Sequence, residues 1–244
     1  MEKRLIIIDG NSIINRAFYA LPDMSNSDGL KTNAIFGFVR MMFKIIEDYQ
    51  PTHMSVAFDK KAPTFRHKVY DGYKGTRKPM LPELRQQVPL MKELLTAMNI
   101  TIVEKEGFEA DDILGTIAKN SQKQGIAVSI VSGDRDLLQL ADTNIKIRIP
   151  KTKKGVTEVE DYYPSDVFNL YGVTPHEFID VKALMGDTSD NIPGAPGIGP
   201  KTASAIIREY HSLDNVFEHL CELKPPKAKT SITENIEQIK MSRF

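Results

Sequence analysis

The chain carries one cysteine, Cys221, in 244 residues. A single thiol excludes an intrachain disulfide and fits a reducing compartment. Long apolar runs are missing at the N-terminus: the run at residues 5–8 is too short for a signal peptide or a membrane span. A cytoplasmic protein with no membrane partner is therefore expected. Charge of one sign is missing too, since 32 basic residues balance 32 acidic ones. The basic excess usual for a nucleic-acid binder is absent from the average. The five histidines show no HxxxH spacing, and no GxxxxGK[ST] phosphate loop is present around Asn11 and Ser12 or elsewhere. There is no internal repeat and no low-complexity tract. The 41% hydrophobic content suffices for a substantial core, in one large domain or one with a small appendage.

What the chain does have is grouped acid. Nine carboxylates fall in five short clusters: Asp9 in LIIIDGNS, Asp59 in SVAFD, Glu109, Asp111 and Asp112 in GFEADDIL, Asp134 and Asp136 in IVSGDRD, and Asp187 and Asp190 in MGDTSDN. Each cluster has an ordinary reading beside a functional one. Glu109 and Asp112 stand three apart at a helix start, where the macrodipole favours acids. Asp9, Asp59 and Asp136 suit helix caps. Asp187 and Asp190 suit a polar turn before Pro193. Five such coincidences are harder to accept than one. Three clusters, those of Asp9, Asp59 and Asp134/Asp136, end apolar runs that read as buried strands. Like charges gathered at one end of a sheet repel unless a cation lies between them. Hard divalent cations with oxygen ligands answer that need, and two close together serve phosphodiester chemistry.

The order of elements supports such a sheet. Strands are expected at 4–8, 53–58, 101–103, 127–131 and 145–149, with 156–159 pairing to a neighbour. Helices alternate with them, at about 12–20 behind an Asn11 or Ser12 cap, 33–49, 83–98 and 110–122, with a short one at 136–140. The helix at 33–49 carries Ile35, Phe38, Val39, Met42, Phe43 and Ile46 at helical spacing. Alternation of this kind implies right-handed βαβ units and a mostly parallel sheet, with the functional crevice at the carboxyl ends of its strands. Beyond residue 163 only helices are expected, at 164–171, 175–184, 200–209 and 213–220, with a weak one in 224–244.

The bases lie apart from the acids. Residues 60–92 hold Lys60, Lys61, Arg66, Lys68, Lys74, Arg77, Lys78, Arg85 and Lys92 against Asp71 and Glu83 alone. Prolines interrupt residues 60–82, which read as a mobile segment with a short helix, not as core. Arg66, Lys74, Arg77 and Lys78 suit phosphate contacts, and Tyr70 and Tyr73 suit base stacking, unless the span is simply a solvated basic face. A second basic strip, residues 146–154, contains no acid. In IPGAPGIGPKTASAII, Gly194, Gly197 and Gly199 permit a tight turn with exposed backbone N–H groups. Pro200 fits the first helical position, and Lys201 and Thr202 open a helix whose N-terminus suits a phosphate. The segment reads as the hairpin of a helix–hairpin–helix, a grip on the DNA backbone, against the alternative of a plain Gly-Pro turn.

Taken in order, LIIIDGNS, VAFDKKAPTFRH, YKGTRKP, EADDIL, SGDRDLLQL and GDTSDNIPGAPGIGPKTA resemble the bacterial 5′ nuclease family. The resemblance covers residues 3–223. It is strongest to the 5′→3′ exonuclease domain at the N-terminus of bacterial DNA polymerase I, with flap endonucleases more distant. It implies an α/β fold with a PIN-like, mostly parallel sheet flanked by helices, a helical arch and a C-terminal helix–hairpin–helix region. The expected domains are a catalytic one at 1–162 with the arch at about 60–92, a helical one at 163–223 with the hairpin motif at about 190–210, and a truncated tail at 224–244. The resemblance further implies two Mg²⁺ (or Mn²⁺) ions. Asp9, Asp59, Glu109 and Asp111 would serve one site, with Asp112 beside them, and Asp134, Asp136, Asp187 and Asp190 the other. Tyr73, Lys74 and Arg77 match the family's residues that orient the scissile phosphate. Arg66, Lys78, Gly197, Gly199, Lys201 and Thr202 would hold DNA, and a K⁺ ion is expected on backbone oxygens of the hairpin. Pro200 stands where relatives often carry an acid. The partners implied are DNA 5′ flaps, nicks and RNA primers in replication and repair. A polymerase, fused or working alongside, is expected too, in a monomeric protein at the nucleoid. A non-catalytic DNA-junction binder is the alternative. A PIN-type ribonuclease is a third reading, disfavoured by the hairpin and the arch-like span.

Overall fold

Residues Leu5 to Ile8 are β-branched or branched aliphatics throughout, and such a run suits a strand covered on both faces. In the computed structural model, which describes residues 2–153 and 156–244, that run is the central strand of a six-stranded sheet. In chain order the elements are β1 (Arg4–Asp9), α1 (Gly10–Ala20), α2 (Asn33–Tyr49), β2 (His53–Ala57), α3 (Phe65–Val69), α4 (Pro82–Ala97), β3 (Thr101–Val103), α5 (Ala110–Lys123), β4 (Ala127–Val131), a 3-10 turn at Asp136–Leu140, β5 (Ile145–Lys153), β6 (Val156–Tyr162), α6 (Pro164–Tyr171), α7 (Pro175–Met185), α8 (Pro200–Tyr210), α9 (Leu213–Glu218), α10 (Pro226–Glu234) and α11 (Ile236–Arg243).

The strands lie in the order β3-β2-β1-β4-β5-β6. All neighbours are parallel except β5 and β6, which pair antiparallel. The chain winds from β1 outward through β2 and β3, then returns to the other side of β1 with β4. The reversal therefore falls between β1 and β4, and at such a switch point the strand ends leave a crevice. The residues that follow β1 and β4 there are the acid-bearing segments DGNS and SGDRD.

Two compact units form. The first comprises residues up to 64, 79–137 and 141–163; the second comprises 65–78, 138–140 and 164–244. Residues 65–78, expected within the arch of the catalytic domain, group with the helical unit. In the first unit Ile6, Ile8, Ile13, Ile14, Phe38, Met42, Phe58 and Leu84 join one buried cluster. The buried face of α2 is Ala34, Phe38, Met41, Met42 and Ile45, whereas Phe43, expected on that face, is 52% exposed. The stripe is rotated because α2 packs on α1 and α4, and its N-terminus is set by Gln87 of α4. No side chain of α2's own cap residue serves its first N–H groups. The fully buried Gln87 accepts from Ala34 N–H (2.9 Å) and Ile35 N–H (3.2 Å) and donates to Asn33 Oδ1 (3.1 Å).

In the second unit, Thr174 and Glu177 cap α7 reciprocally, at 3.3 and 2.7 Å. The backbones at Gly186 and Gly194 approach so closely that a Cβ on Gly194 would lie 2.3 Å from the Met185 carbonyl carbon. The segment 224–244, expected as a truncated tail, forms α10 and α11, with Ala228, Ile232 and Ile239 buried. Arg243 pairs with Asp180 at 2.8 Å and with Asp214 at 3.0 Å, tying α11 to α7 and α9.

Gln87→Leu should lower stability by about 2–4 kcal/mol, because it leaves two buried N–H donors of α2 without acceptors. Urea denaturation checks this, with an unchanged m-value expected.

Candidate metal centre

Asp9 is the last residue of β1 and is 5% exposed. Its backbone is extended, so the following helix starts at Gly10 and Asp9 itself is the cap, rather than Asn11 or Ser12. Oδ1 accepts from Ser12 N–H at 2.9 Å, and Oδ2 accepts from the buried Ser132 hydroxyl at 2.7 Å. A glycine is needed next: a Cβ on Gly10 would sit 2.5 Å from the ring of Phe58. Burial dominates the titration of Asp9 and pushes its pKa up to about 6. The bonds from Ser12 and Ser132 pull it down, and the carboxylates of Asp59 and Asp134 push it up again. Two acids, one just after β2 and one in the loop after β4, are thus each within electrostatic reach of Asp9.

The neighbouring loops are locked by their own polar groups. Gly133 N–H donates to Ser12 Oγ (2.9 Å), Asp134 N–H to Ser132 Oγ (3.0 Å) and Asp136 N–H to Asp134 Oδ1 (2.8 Å). The cap expected of Asp136 is thus supplied by Asp134 through Oδ1, and Asp136 is the first residue of the 3-10 turn. Asp59 accepts from Asn11 Nδ2 (2.7 Å) and from Ala110 N–H (2.7 Å), which fixes it to the start of α5. Glu109 is the buried cap residue of α5, and its N–H donates to Asp112 Oδ2 at 2.9 Å. Asp112 thus closes a capping-box contact. Asp111 lies half-buried in the first turn of α5.

In the second unit Asp187 and Asp190 lie in the loop after α7. Lys182 meets Asp187 at 2.8 Å, and Ser189 donates to it through N–H (2.8 Å) and Oγ (2.6 Å). Burial works against ionisation of Asp187, but Lys182 and Ser189 win and hold it well below the usual carboxylate range. Asp190 pairs with Arg77 and accepts from the Tyr73 hydroxyl at 3.2 Å. Its carbonyl accepts from Lys74 N–H at 2.8 Å, and Asn191 Nδ2 donates to Gly72 O at 2.8 Å. Lys74 is held with φ of +55° and its ammonium lies 5.1 Å from the Tyr73 ring centre. Residues 72–77, expected outside the core, are therefore stitched to the DTSDN loop. Tyr73 is 5% exposed, packed edge-on against His67, so it is not presented for base stacking.

Other expected DNA contacts lie as follows. Lys78 and Lys201 are exposed, Thr202 and Arg66 half-buried, with the Arg66 guanidinium 4.5 Å from the ring centre of Phe65. Gly197 (φ +77°) and Gly199 are exposed with open space around them, and Pro200 is the first residue of α8, which has no side-chain cap. The basic strip at 146–154 is largely offset by acids of β6 where side chains are described. Lys146 (2.8 Å) and Arg148 (2.7 Å) pair with Asp161, and Lys151 pairs with Glu160. Antiparallel pairing of β5 with β6 places Asp161 directly opposite Arg148 and Glu160 opposite Ile149, within reach of Lys151, which linear sequence conceals. Lys154 lies outside the described residues. One cation at the crevice escaped notice: Arg16, on α1 one turn after Ser12. It is part-buried beside Gly133, and burial lowers its pKa. Its i+4 spacing from Ser12 was the available signal.

Among the described residues, no three His, Cys, Asp or Glu side chains close into a ready-made cage. The donor set nevertheless suits Mg²⁺. All donors are hard oxygens, Asp9 is destabilised as an anion by two neighbouring carboxylates, and Mg²⁺ takes only one or two carboxylates while keeping water.

A mostly parallel sheet with acids at its switch point, followed in sequence by a helical region with a glycine hairpin, marks an α/β nuclease-like fold, and the chain belongs to the 5′-3′ exonuclease family. The model of that family's N-terminal resolvase-like domain matches residues 4–172, and that of its C-terminal SAM fold matches residues 173–244. DNA polymerase I of Bacillus caldotenax is 46% identical over 243 residues, which cover 100% of this chain and 28% of that protein. DNA polymerase I of Bacillus subtilis is 47% identical over 242 residues, covering 99% and 27%. The chain thus spans little more than a quarter of these relatives. Among solved structures, T5 5′-exonuclease with bound zinc ions has a TM-score of 0.81 at 23% identity, covering 99% of this chain and 88% of that one. The catalytic core of Rad2 in complex with a DNA substrate has a TM-score of 0.60 at 21% identity, covering 96% and 72%. These two likenesses are of fold.

Because the folded-state pKa of Asp9 is raised, its protonated form favours folding, and that contribution is lost as pH rises towards 6. A divalent cation needs the ionised form. Mg²⁺ should therefore raise the melting temperature more at pH 8 than at pH 5, as differential scanning calorimetry with and without EDTA would show.

Proposed function

We propose that the chain is a metal-dependent, structure-specific 5′ nuclease. It hydrolyses phosphodiester bonds at DNA 5′ flaps and nicked ends and in RNA primers during replication and repair. The observation that carries this reading is the electrostatic convergence of Asp9, Asp59 and Asp134 at the switch point of the sheet. Two Mg²⁺ or Mn²⁺ ions, when bound, supply Lewis acidity and neutralise charge on the phosphate.

The chain's own residues divide the remaining work. Asp9, Asp59, Glu109 and Asp111, with Asp112 beside them, and Asp134, Asp136, Asp187 and Asp190 are the proposed metal-binding carboxylates. The hydrogen bonds from Ser12 and Ser132 fix the orientation of Asp9 without saturating its lone pairs. Arg77, held by Asp190 and Ser189, and Lys74 place positive charge for the non-bridging phosphate oxygens. Tyr73, buried, holds Asp190 and so sets the position of this pair. The uncapped start of α8, with Gly197, Gly199, Lys201 and Thr202, suits the backbone of duplex DNA, and Arg66 and Lys78 add phosphate contacts. Backbone contacts carry little base information, so sequence preference is weak. A K⁺ ion at the hairpin belongs to the same reading, since a carbonyl oxygen that accepts one hydrogen bond keeps a second lone pair.

The same reading takes the chain as a monomer at the nucleoid; the DNA polymerase I relatives support its being fused to or working beside a polymerase. Among the described residues no helix is long and apolar enough to cross a membrane.

A 5′-labelled double-flap DNA should be cut near the junction in Mg²⁺. Cutting should cease in EDTA and fall by at least about a hundredfold in Asp134→Ala and Asp187→Ala, an order of magnitude typical of lost transition-state charge stabilisation. Flap binding without cleavage by the folded parent would instead identify a junction binder.

A further inference from the structure

The hairpin at 193–199 is tied down on one side only. Gln238 Nε2 donates to Gly194 O at 2.8 Å and Ser231 Oγ to Pro196 O at 2.7 Å, and Ser242 Oγ shares its one proton between Pro193 O and Gln238 O of its own helix. All three donors belong to α10 and α11. Within the hairpin, Ile198 N–H donates to Ala195 O at 3.1 Å, and Ala195 N–H to Leu184 O at 2.8 Å. Four successive carbonyls, from Pro193 to Pro196, are therefore occupied. The tip, Gly197 and Gly199, is exposed with nothing near it.

The peptide unit is planar, and in the trans form its C=O and N–H point in opposite directions. Pro196 O and Gly197 N–H belong to one such plane. The bond from Ser231 therefore aims the Gly197 N–H away from α10, towards the open side. Gly197 sits at φ +77°, where glycine has no intrinsic preference for one orientation over another, so an external restraint has something to decide.

We propose that α10 and α11 are a brace that presents the hairpin's N–H groups to the phosphates of duplex DNA, with Ser231 as the chief positioning residue and Gln238 and Ser242 holding the stem. This rests on the reading of the hairpin as a DNA-backbone grip. It gives the C-terminal segment a role in substrate affinity that its distance in sequence from the hairpin hides.

The test is Ser231→Ala beside Ser231→Thr in the full chain. Alanine is the better helix former, which offsets much of the lost hydrogen bond, so Ser231→Ala should still fold, with a melting temperature within a few degrees of the parent. Backbone amide exchange across 194–200, measured without DNA, should quicken in Ser231→Ala. Its Kd for flap DNA bearing a duplex arm, measured in EDTA, should rise about fivefold, the worth of one hydrogen bond. In Mg²⁺ its KM should rise by more than its kcat falls, and Ser231→Thr, which keeps the hydroxyl, should restore both exchange and affinity. Unchanged exchange overturns the brace. Faster exchange with unchanged duplex affinity, or no rescue by threonine, overturns its part in DNA binding. A parent protein that does not bind the flap contradicts the proposed function, and the exchange measurement still judges the brace.

Discussion

A carboxylate that must be buried and charged at once governs this structure. Asp9 is placed by the sheet, since the strand that carries it is central and covered on both faces. It is also needed locally, because its Oδ1 starts α1 and its Oδ2 anchors Ser132, from which the SGD loop hangs. Two further carboxylates press on it. Isolated burial of such a charge is unfavourable, and hydrogen bonds repair only part of the cost. The residual negative potential makes a divalent cation the natural complement, so the same geometry that organises the loops also defines the chemistry.

The second unit follows a different logic, in which the two acids of the loop after α7 each have a cation. Asp187 has Lys182 and Asp190 has Arg77. The basic residues around 74–77 are thus organised by the loop they pair with, and their positive charge is held in place instead of waving on a solvated helix. The hairpin beyond that loop depends on backbone carbonyls captured by α10 and α11. Both arrangements use side chains far away in sequence to fix short, glycine-rich or acid-rich loops whose own hydrogen bonds would not hold them.

Much of this was legible in the residues. The apolar runs announced β1, β2, β4 and β5, and the acids after them marked the crevice, because parallel βαβ winding puts functional groups at strand ends. The order of motifs by itself points to the family. What stayed hidden was long-range and polar. Gln87 as the cap of α2 could not be foreseen, since nothing local links residues 34 and 87. The pairing of both Lys146 and Arg148 with Asp161 needed the register of β5 on β6. The burial of Tyr73 needed its partner loop, and the segment 224–244 looked like a loose end because its polar donors serve a hairpin some thirty to fifty residues upstream. Asp112 illustrates the opposite limit: its ordinary role as a capping-box residue is present, whatever further role it has.

The central claim is that buried negative charge at the switch point is held for a divalent cation. The direct measurement is a carbon-13 NMR titration of the Asp9 carboxyl, first free of metal and then in saturating Mg²⁺. The account predicts a midpoint near pH 6 without metal and a clear fall when Mg²⁺ is added. A midpoint in the ordinary carboxylate range that ignores Mg²⁺ would contradict it.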